Sequence, residues 1–123
     1  MLHFAYGSNM SRRLMRARCP GAQALGTAVL AGHRFIITGD GYASVVRQPG
    51  AVVHGLLWRL AARDLAALNL YESVDSGLYQ AVTLPVRTGG RRRPARVYVE
   101  RARHAGKPKP GYHDVVLAAA REL

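Results

Sequence analysis

A short polar segment directly after an apolar stretch offers the first chemistry in this chain. Phe4 and Ala5 lead into Tyr6-Gly7-Ser8-Asn9, and a helical pattern starts at once behind it. Glycine permits backbone approaches that a Cβ would forbid, and Ser and Asn are good helix N-caps. A strand, a tight turn and a helix start aim backbone N–H groups at one point, an arrangement that binds an anion or a developing oxyanion. An ordinary capped loop has the same pattern, so the segment alone leaves both interpretations open.

A second segment supplies a carboxylate in a chain that has only seven acidic residues. Glu72 follows a predicted helix over residues 61–70 and is flanked by Leu70, Tyr71 and Val74. Apolar surroundings raise the pKa of a carboxylate, which suits a general acid and base. A solvated glutamate at a helix end is the alternative interpretation of the same residue.

The two segments together resemble the γ-glutamylcyclotransferase-like (AIG2-like) family. Residues 6–9 match its N-terminal signature, Tyr-Gly-Ser-Asn. The second signature is Leu-Asp-x-x-Glu-Gly with a Gly-x-Tyr that ends seven residues after the Glu; residues 68–73 and Gly77-Leu78-Tyr79 match it. Pro110-Gly111-Tyr112 matches a Pro-x-Tyr that opens the last helix. Asn69 stands where the signature has Asp and Ser73 where it has Gly, so the identity of the substrate stays open.

The resemblance implies a fold, a reaction and a set of site residues. The implied fold is α+β, with a mixed, partly closed β-barrel-like sheet and flanking helices, in a single domain over residues 1–123. The implied reaction is cyclisation of a γ-glutamyl amide to 5-oxoproline with release of the attached amine or amino acid, without a cofactor. Glu72 is the implied general acid and base, and the implied substrate-binding residues are Tyr6, Gly7, Ser8, Asn9, Tyr79 and Tyr112.

Two alternatives to an enzyme remain. The first is a catalytically inactive member of the fold that binds a small anionic ligand at the same loop. The second is a basic nucleic-acid-binding module, suggested by the net charge of +11 and by nine basic residues between Arg87 and Lys109. Arg91-Arg92-Arg93, however, follows Thr88-Gly89-Gly90 at a predicted hairpin tip, where solvated charges are expected. We therefore predict salt-sensitive, nonspecific adsorption to nucleic acid rather than specific recognition.

Composition and length bound the remaining choices. A chain of 123 residues with 49% hydrophobic residues is predicted to form one domain with a real core. Its apolar runs are shorter than the roughly 18 residues of a membrane span, so we expect no membrane partner. The absence of a signal-peptide pattern and a single cysteine favour the cytoplasm. Cys19 is interpreted as a half-buried packing residue, and no His pair has metal-ligand spacing, so we expect no metal. The oligomeric state is left open.

The pattern of apolar residues and turn signals predicts seven strands and three helices. The predicted strands are 2–6, 24–30, 34–38, 42–47, 52–59, 79–87 and 95–101, with turns at 39–41 and 48–50, and the predicted helices are 10–18, 61–70 and 112–122.

Overall fold

The computed structural model describes residues 1–38, 41–71, 79–100, 116 and 119–121. Within these residues there are five strands, two α-helices and one short 3₁₀ helix, and residues 116 and 119–121 are also helical. The order along the chain is β1 (Leu2–Ala5), the 3₁₀ helix (Ser8–Met10), α1 (Arg12–Arg18), β2 (Gln23–Ile37), β3 (Ala43–Arg59), α2 (Ala62–Tyr71), β4 (Tyr79–Thr88) and β5 (Arg91–Glu100).

The five strands form a closed barrel in the order β1-β3-β2-β4-β5. Neighbouring strands are antiparallel except β1 and β5, which run parallel and close the barrel where His3 lies opposite Arg96. The predicted α+β class with a mixed, barrel-like sheet is therefore confirmed, and the closure is complete rather than partial.

Strands β2 and β3 are longer than the sequence pattern predicted. Residues 24–30 and 34–38 were expected to be two strands, but they belong to the single strand β2. The turn predicted at Gln48–Gly50 is wrong, because these residues lie inside the single strand β3. Gly and Pro mark an irregularity in the ladder here, not an end of the strand.

That irregularity is a β-bulge that bends the long β2–β3 ribbon. The ladder pairs Ala31 with Val52 and next pairs His33 with Arg47. Residues 48–51 of β3 therefore lie opposite the single residue Gly32. Gly32 has a φ of 74°, a left-handed conformation that glycine adopts without strain. Bulges increase local bend and twist, and bends of this kind allow two strands of this length to curl around a small barrel.

The β4–β5 hairpin turns at Gly89 and Gly90, whose φ values of 56° and 75° suit a tight two-residue turn. The predicted basic tip needs a correction, because Arg91–Arg93 are already the first residues of β5. Arg92 lies directly opposite Arg87 in the ladder. Two like charges face each other across the strands, an unfavourable pair that exposure to water screens.

Two apolar clusters stabilise the fold, one on each face of the sheet. Alternate strand residues fill the barrel interior: Phe4, Tyr6, Ala28, Leu30, Ala43, Val45, Val53, Leu57, Val86, Ala95, Val97 and Val99. The intervening residues face outward and meet the helices in a second cluster: Ala5, Met10, Met15, Cys19, Leu56, Trp58, Leu60, Leu68, Tyr79, Tyr98 and Ala119. The helices are thereby held on the outside of the barrel.

One rim of the barrel collects chain segments from every strand. Because β1 and β5 are parallel and all other pairs are antiparallel, the ends of β1, β2 and β5 share this rim with the starts of β3 and β4. We call it the upper rim; it carries Tyr6–Asn9 after β1, Thr38 after β2, Ala43 and Ser44 at the start of β3, Tyr79 at the start of β4 and Glu100 at the end of β5.

Candidate functional site

The loop after β1 forms a single 3₁₀ turn on the upper rim. Met10 N donates to Gly7 O and Ser11 N donates to Ser8 O, each over 3.0 Å. The Ser11 side chain then caps α1 by accepting a hydrogen bond from Leu14 N at 3.3 Å. In the described part of the chain the N–H groups of Gly7 and Ser8 donate no hydrogen bond, as is usual at a helix start. That these two donors bind a ligand stays a prediction.

Asn9 is fixed by a buried histidine of β1. His3 is 2% exposed, and its ring Nδ1 lies 3.2 Å from Arg96 O. A carbonyl only accepts, so Nδ1 carries the proton, and Nε2 accepts from Asn9 Nδ2 at 3.5 Å. Burial lowers the pKa of His3 from 6.5 to about 4, with the Arg96 charge acting in the same direction and the hydrogen bond to Arg96 O opposing it. His3 is therefore neutral at pH 7 and sets the orientation of the Asn9 amide.

Arg18 and Trp58 hold the same loop from its other sides. Arg18 Nη1 donates to Asn9 Oδ1 at 2.5 Å and to Ser8 Oγ at 3.1 Å. Trp58 Nε1 donates to Asn9 O at 3.0 Å. Since Asn9 is bonded through its amide, its side-chain oxygen and its carbonyl, the loop is built to a fixed geometry. Beyond the residue types, no pattern in the sequence pointed to these partners.

Tyr6 joins the loop to β5. Its hydroxyl donates to Tyr98 O, and its ring lies edge-on to Phe35 with centroids 6.3 Å apart. The ring itself is 6% exposed and contributes to the barrel interior. Tyr6 thus belongs to the predicted site region, with its hydroxyl engaged by the main chain.

Tyr79 lies at the same rim, at the start of β4. Its hydroxyl donates to Ala43 O at 3.0 Å, and the residue is 7% exposed. It stands opposite Glu100 in the β4–β5 ladder. The loop and Tyr79, which are distant in sequence, are therefore brought to one end of the barrel.

A buried carboxylate on the upper rim was not predicted as part of the site. Glu100 Oε2 accepts from Thr38 Oγ1 at 2.5 Å, and Glu100 N donates to Ser44 Oγ at 3.1 Å. All three residues are 0% exposed. The signal in the sequence is an acid at the end of the alternating pattern of β5.

The C-terminal end of α2 is attached to β5 beside the loop. Leu68 is fully buried, while Asn69 Oδ1 accepts from Tyr98 Oη at 2.5 Å and from Arg96 Nη2 at 2.9 Å. Leu70 is 76% exposed, so this neighbour of Glu72 does not provide the apolar surroundings that the sequence suggested. Glu72 itself and Tyr112 lie outside the described residues, and their roles stay predictions.

Cys19 is more buried than predicted. It is 1% exposed, and its thiol donates to Asp64 O at 3.4 Å. Burial, followed by the negative charge of Asp64, raises the pKa of the thiol. A buried thiol with a raised pKa is a packing group and not a nucleophile.

The described residues contain no group of three or more His, Cys, Asp or Glu that could hold a metal ion. None of the helices in the described ranges has the length and apolar character needed to cross a bilayer.

The exposed charges of the described residues are all positive, because the two acids among them, Asp64 and Glu100, are 2% and 0% exposed. An anionic ligand therefore meets an attractive field at long range.

The fold is a closed, mixed barrel of five strands with helices packed on its outside. One rim of this α+β barrel carries the Tyr-Gly-Ser-Asn turn. The family model "Gamma-glutamyl cyclotransferase, AIG2-like" matches residues 3–115. The chain belongs to this family.

Individual relatives agree with that assignment. A mouse protein named gamma-glutamylcyclotransferase is 28% identical over 98% of this chain and 70% of the relative's length. A solved structure titled "Gamma-glutamyl cyclotransferase" superposes with a TM-score of 0.91 at 26% identity, over 99% of this chain and 79% of the other. An uncharacterized human protein superposes with a TM-score of 0.90 at 27% identity, over 98% and 78% of the two chains.

Proposed function

We propose that this chain is a γ-glutamylcyclotransferase-type enzyme, which converts a γ-glutamyl amide to 5-oxoproline and releases the attached amine or amino acid. The observation that carries the proposal is the Tyr6–Asn9 turn. It is held rigidly on the upper rim, and its Gly7 and Ser8 N–H groups donate to nothing in the described residues. The same rim receives the start of β4 and, through Tyr98, the end of α2, the two elements between which Glu72 lies in the sequence.

Glu72 is the proposed general acid and base. The α-amine of the substrate arrives as an ammonium and cannot attack until it loses a proton. Glu72 takes that proton, and the amine nitrogen attacks the γ-carbonyl carbon to close a five-membered lactam. Collapse of the tetrahedral intermediate breaks the bond to the leaving nitrogen, which receives this proton from Glu72. The ring nitrogen then gives up its second proton, which Glu72 passes on, so that the amine leaves as an ammonium. No net proton is gained or lost.

The Tyr6–Asn9 turn is the proposed oxyanion and substrate-oxygen site. The tetrahedral intermediate carries a negative charge, and backbone N–H groups that are already oriented stabilise it without reorganisation, by about 3 kcal/mol for each good donor. His3, Arg18 and Trp58 fix the turn before substrate arrives. Because the nucleophile and the carbonyl belong to one molecule, a pocket that folds the substrate supplies much of the remaining acceleration.

Three tyrosines complete the proposed pocket. The hydroxyls of Tyr6 and Tyr79 donate to main-chain carbonyls at the upper rim, which fixes both side chains there. We assign both rings to the wall of the pocket. Tyr112 is assigned to the same wall by its place in the family signature alone. The chemistry requires no cofactor.

The test is an assay of 5-oxoproline release over a panel of γ-glutamyl amides, with two matched carboxylate variants. Glu72→Gln should fold normally and lose about 10²–10⁴-fold in turnover, the usual range for a general acid and base. Glu100→Gln, at the same rim, changes a carboxylate that is 0% exposed and already accepts a hydrogen bond from Thr38. If Glu100→Gln abolishes turnover while Glu72→Gln does not, the base is wrongly assigned. If no amide is turned over by the wild type, the reaction itself is wrong.

An inactive family member that binds a small anion is the second candidate. The two available N–H groups and the wholly positive exposed charge of the described residues favour anion binding with or without chemistry. This candidate predicts thermal stabilisation by 5-oxoproline or a γ-glutamyl amide that Gly7→Val removes, with no turnover. Substrate turnover by the wild type would eliminate it.

The remaining proposals follow from the sequence. We propose that residues 1–123 act as a single domain, in the cytoplasm, on a small γ-glutamyl substrate and without specific recognition of nucleic acid.

A further inference from the structure

One short segment of β5 holds both halves of the candidate site. The side chains of Arg96 and Tyr98 bind Asn69 near the end of α2. Their main-chain carbonyls bind the other half, since Arg96 O accepts from the ring of His3 and Tyr98 O accepts from the hydroxyl of Tyr6. The two halves are more than 60 residues apart in the sequence, and the described structure connects both to the same two residues of one strand.

The three side chains Asn69, Arg96 and Tyr98 form a closed ring of hydrogen bonds. Asn69 Oδ1 accepts from Tyr98 Oη at 2.5 Å and from Arg96 Nη2 at 2.9 Å, while Arg96 Nε donates to Tyr98 Oη at 3.2 Å. The guanidinium carbon also lies 5.4 Å from the centroid of the Tyr98 ring. Tyr98 is 3% exposed and the other two are half-buried, so the ring is largely shielded from competing water.

The ring is connected to Glu72 by a short stretch of chain. Asn69 precedes Glu72 by three residues, so their Cα atoms are at most about 10 Å apart whatever the conformation between them. Proton transfer and nucleophilic attack demand positions good to a fraction of an ångström, and a misplacement of about 1 Å costs on the order of 100-fold in rate. A group that fixes the last turn of α2 therefore fixes the point from which the chain continues to Glu72.

We propose that Asn69, Arg96 and Tyr98 are positioning residues, a clamp that sets the end of α2, and thereby Glu72, against the Tyr6–Asn9 turn. The proposal rests on the proposed function for what the clamp positions, but the clamp itself can be tested without turnover. It also assigns a role to Asn69, the residue that differs from the Asp of the family signature: a neutral oxygen that accepts the same two donors an aspartate would accept.

The experiment compares four variants. Tyr98→Phe removes only the hydroxyl and keeps the carbonyl that holds Tyr6. Asn69→Ala removes the acceptor, and Asn69→Asp keeps an acceptor and adds an ion pair to Arg96. Asp64→Asn is the matched control, because Asp64 accepts from Ala61 N at 3.2 Å and stabilises the opposite end of the same helix.

The clamp predicts a split in the kinetic constants. Tyr98→Phe and Asn69→Ala should lower kcat by about 10- to 100-fold with KM within about threefold of wild type, because the base is displaced while the substrate-binding turn is intact. Asn69→Asp should restore kcat to within about threefold of wild type. Asp64→Asn should lower the melting temperature while leaving kcat almost unchanged. An unchanged kcat in Tyr98→Phe, or a failure of Asn69→Asp to exceed Asn69→Ala, overturns the proposal.

Hydrogen exchange separates failure of the clamp from failure of the proposed function. The backbone amides of residues 68–71 should exchange faster in Tyr98→Phe and Asn69→Ala than in wild type and in Asn69→Asp. A fifth protein that combines Tyr98→Phe with Asn69→Ala should exchange no faster at these amides than the faster of the two single variants, since both substitutions break the same ring. If exchange follows this pattern but no γ-glutamyl amide is turned over, the clamp stands and the reaction is wrong. If exchange at these amides is unchanged, the clamp is wrong whatever the activity.

Discussion

Lowering the pH should destabilise this protein through His3 in a way that can be calculated from its surroundings. The neutral ring donates through Nδ1 to Arg96 O and accepts through Nε2 from Asn9 Nδ2. Protonation puts a second N–H on the ring, so that two donors, Nε2–H and Asn9 Nδ2–H, confront each other in a buried site. The charged imidazolium also lies near the Arg96 guanidinium, which lowers the pKa of His3 in the same direction as burial does.

The size of the effect follows from the two pKa values. The folded-state pKa of His3 is about 4, against 6.5 for a solvated histidine side chain, which we take as the value in the unfolded chain. The unfolded chain therefore binds a proton that the folded chain does not between pH 6.5 and pH 4, and stability falls as the pH falls through this window. Linkage gives a loss of about 2 kcal/mol at pH 5 and about 3 kcal/mol at pH 4, relative to pH 7.5.

The assay is urea unfolding of wild type and His3→Gln at pH 7.5, 6, 5 and 4. Glutamine keeps a donor and an acceptor but does not titrate, so the difference between the two proteins removes the contribution of the carboxylates. Wild type should be the more stable at pH 7.5, and its advantage should shrink by about 2 kcal/mol at pH 5 and about 3 kcal/mol at pH 4. A stability difference that stays constant across the four pH values would refute a neutral, buried His3.

Three further predictions concern the turn, the barrel and the charge. Gly7→Val should abolish turnover and ligand-induced thermal stabilisation, because a branched side chain then stands beside the available N–H groups; unchanged kcat/KM would contradict the assignment of the turn. Gly55→Ala should destabilise the fold by about 1–3 kcal/mol or more in urea titrations, since the new Cβ would lie 2.7 Å from Phe4 Cζ and closer still to Ala5 O; a loss below about 0.5 kcal/mol would show that β1 moves away freely. Binding of duplex DNA should weaken by orders of magnitude between 50 and 200 mM salt without sequence preference, and replacing Arg91–Arg93 with Ser should weaken it further; a sequence-selective complex at physiological salt would disprove the nonspecific interpretation.

Much of the fold was predictable because its signals are local. The apolar residues of β1, the helical stripe of α2 and the turn glycines at 89 and 90 each report on neighbours a few residues away. The Tyr6–Asn9 turn was predictable for the same reason, since a glycine and helix-capping residues behind a strand are read within one segment. The long strands β2 and β3 were not predictable in full, because Pro49 and Gly50 are turn residues in most contexts and here mark a bulge.

The partners of the site residues were not predictable because they come from distant parts of the chain. Asn9 is fixed by His3, Arg18 and Trp58. No local pattern around these three residues indicates that they bond to Asn9. Glu100 is the clearest case. An acid next to a basic stretch suggests a solvated residue, and only the closure of the barrel buries it against Thr38 and Ser44.

The parallel pairing of β1 with β5 determines when the candidate site can form. His3 pairs with Arg96, and Tyr6 bonds to Tyr98, across 93 and 92 positions of sequence. Contacts between such distant residues form slowly, because the whole intervening chain must be ordered before they are made. The β2–β3 ribbon can fold from its own residues, but the rim cannot. During synthesis the Tyr6–Asn9 turn must therefore wait until residues 96–98 have left the ribosome, so we expect ligand binding to be the last property that a growing or refolding chain acquires.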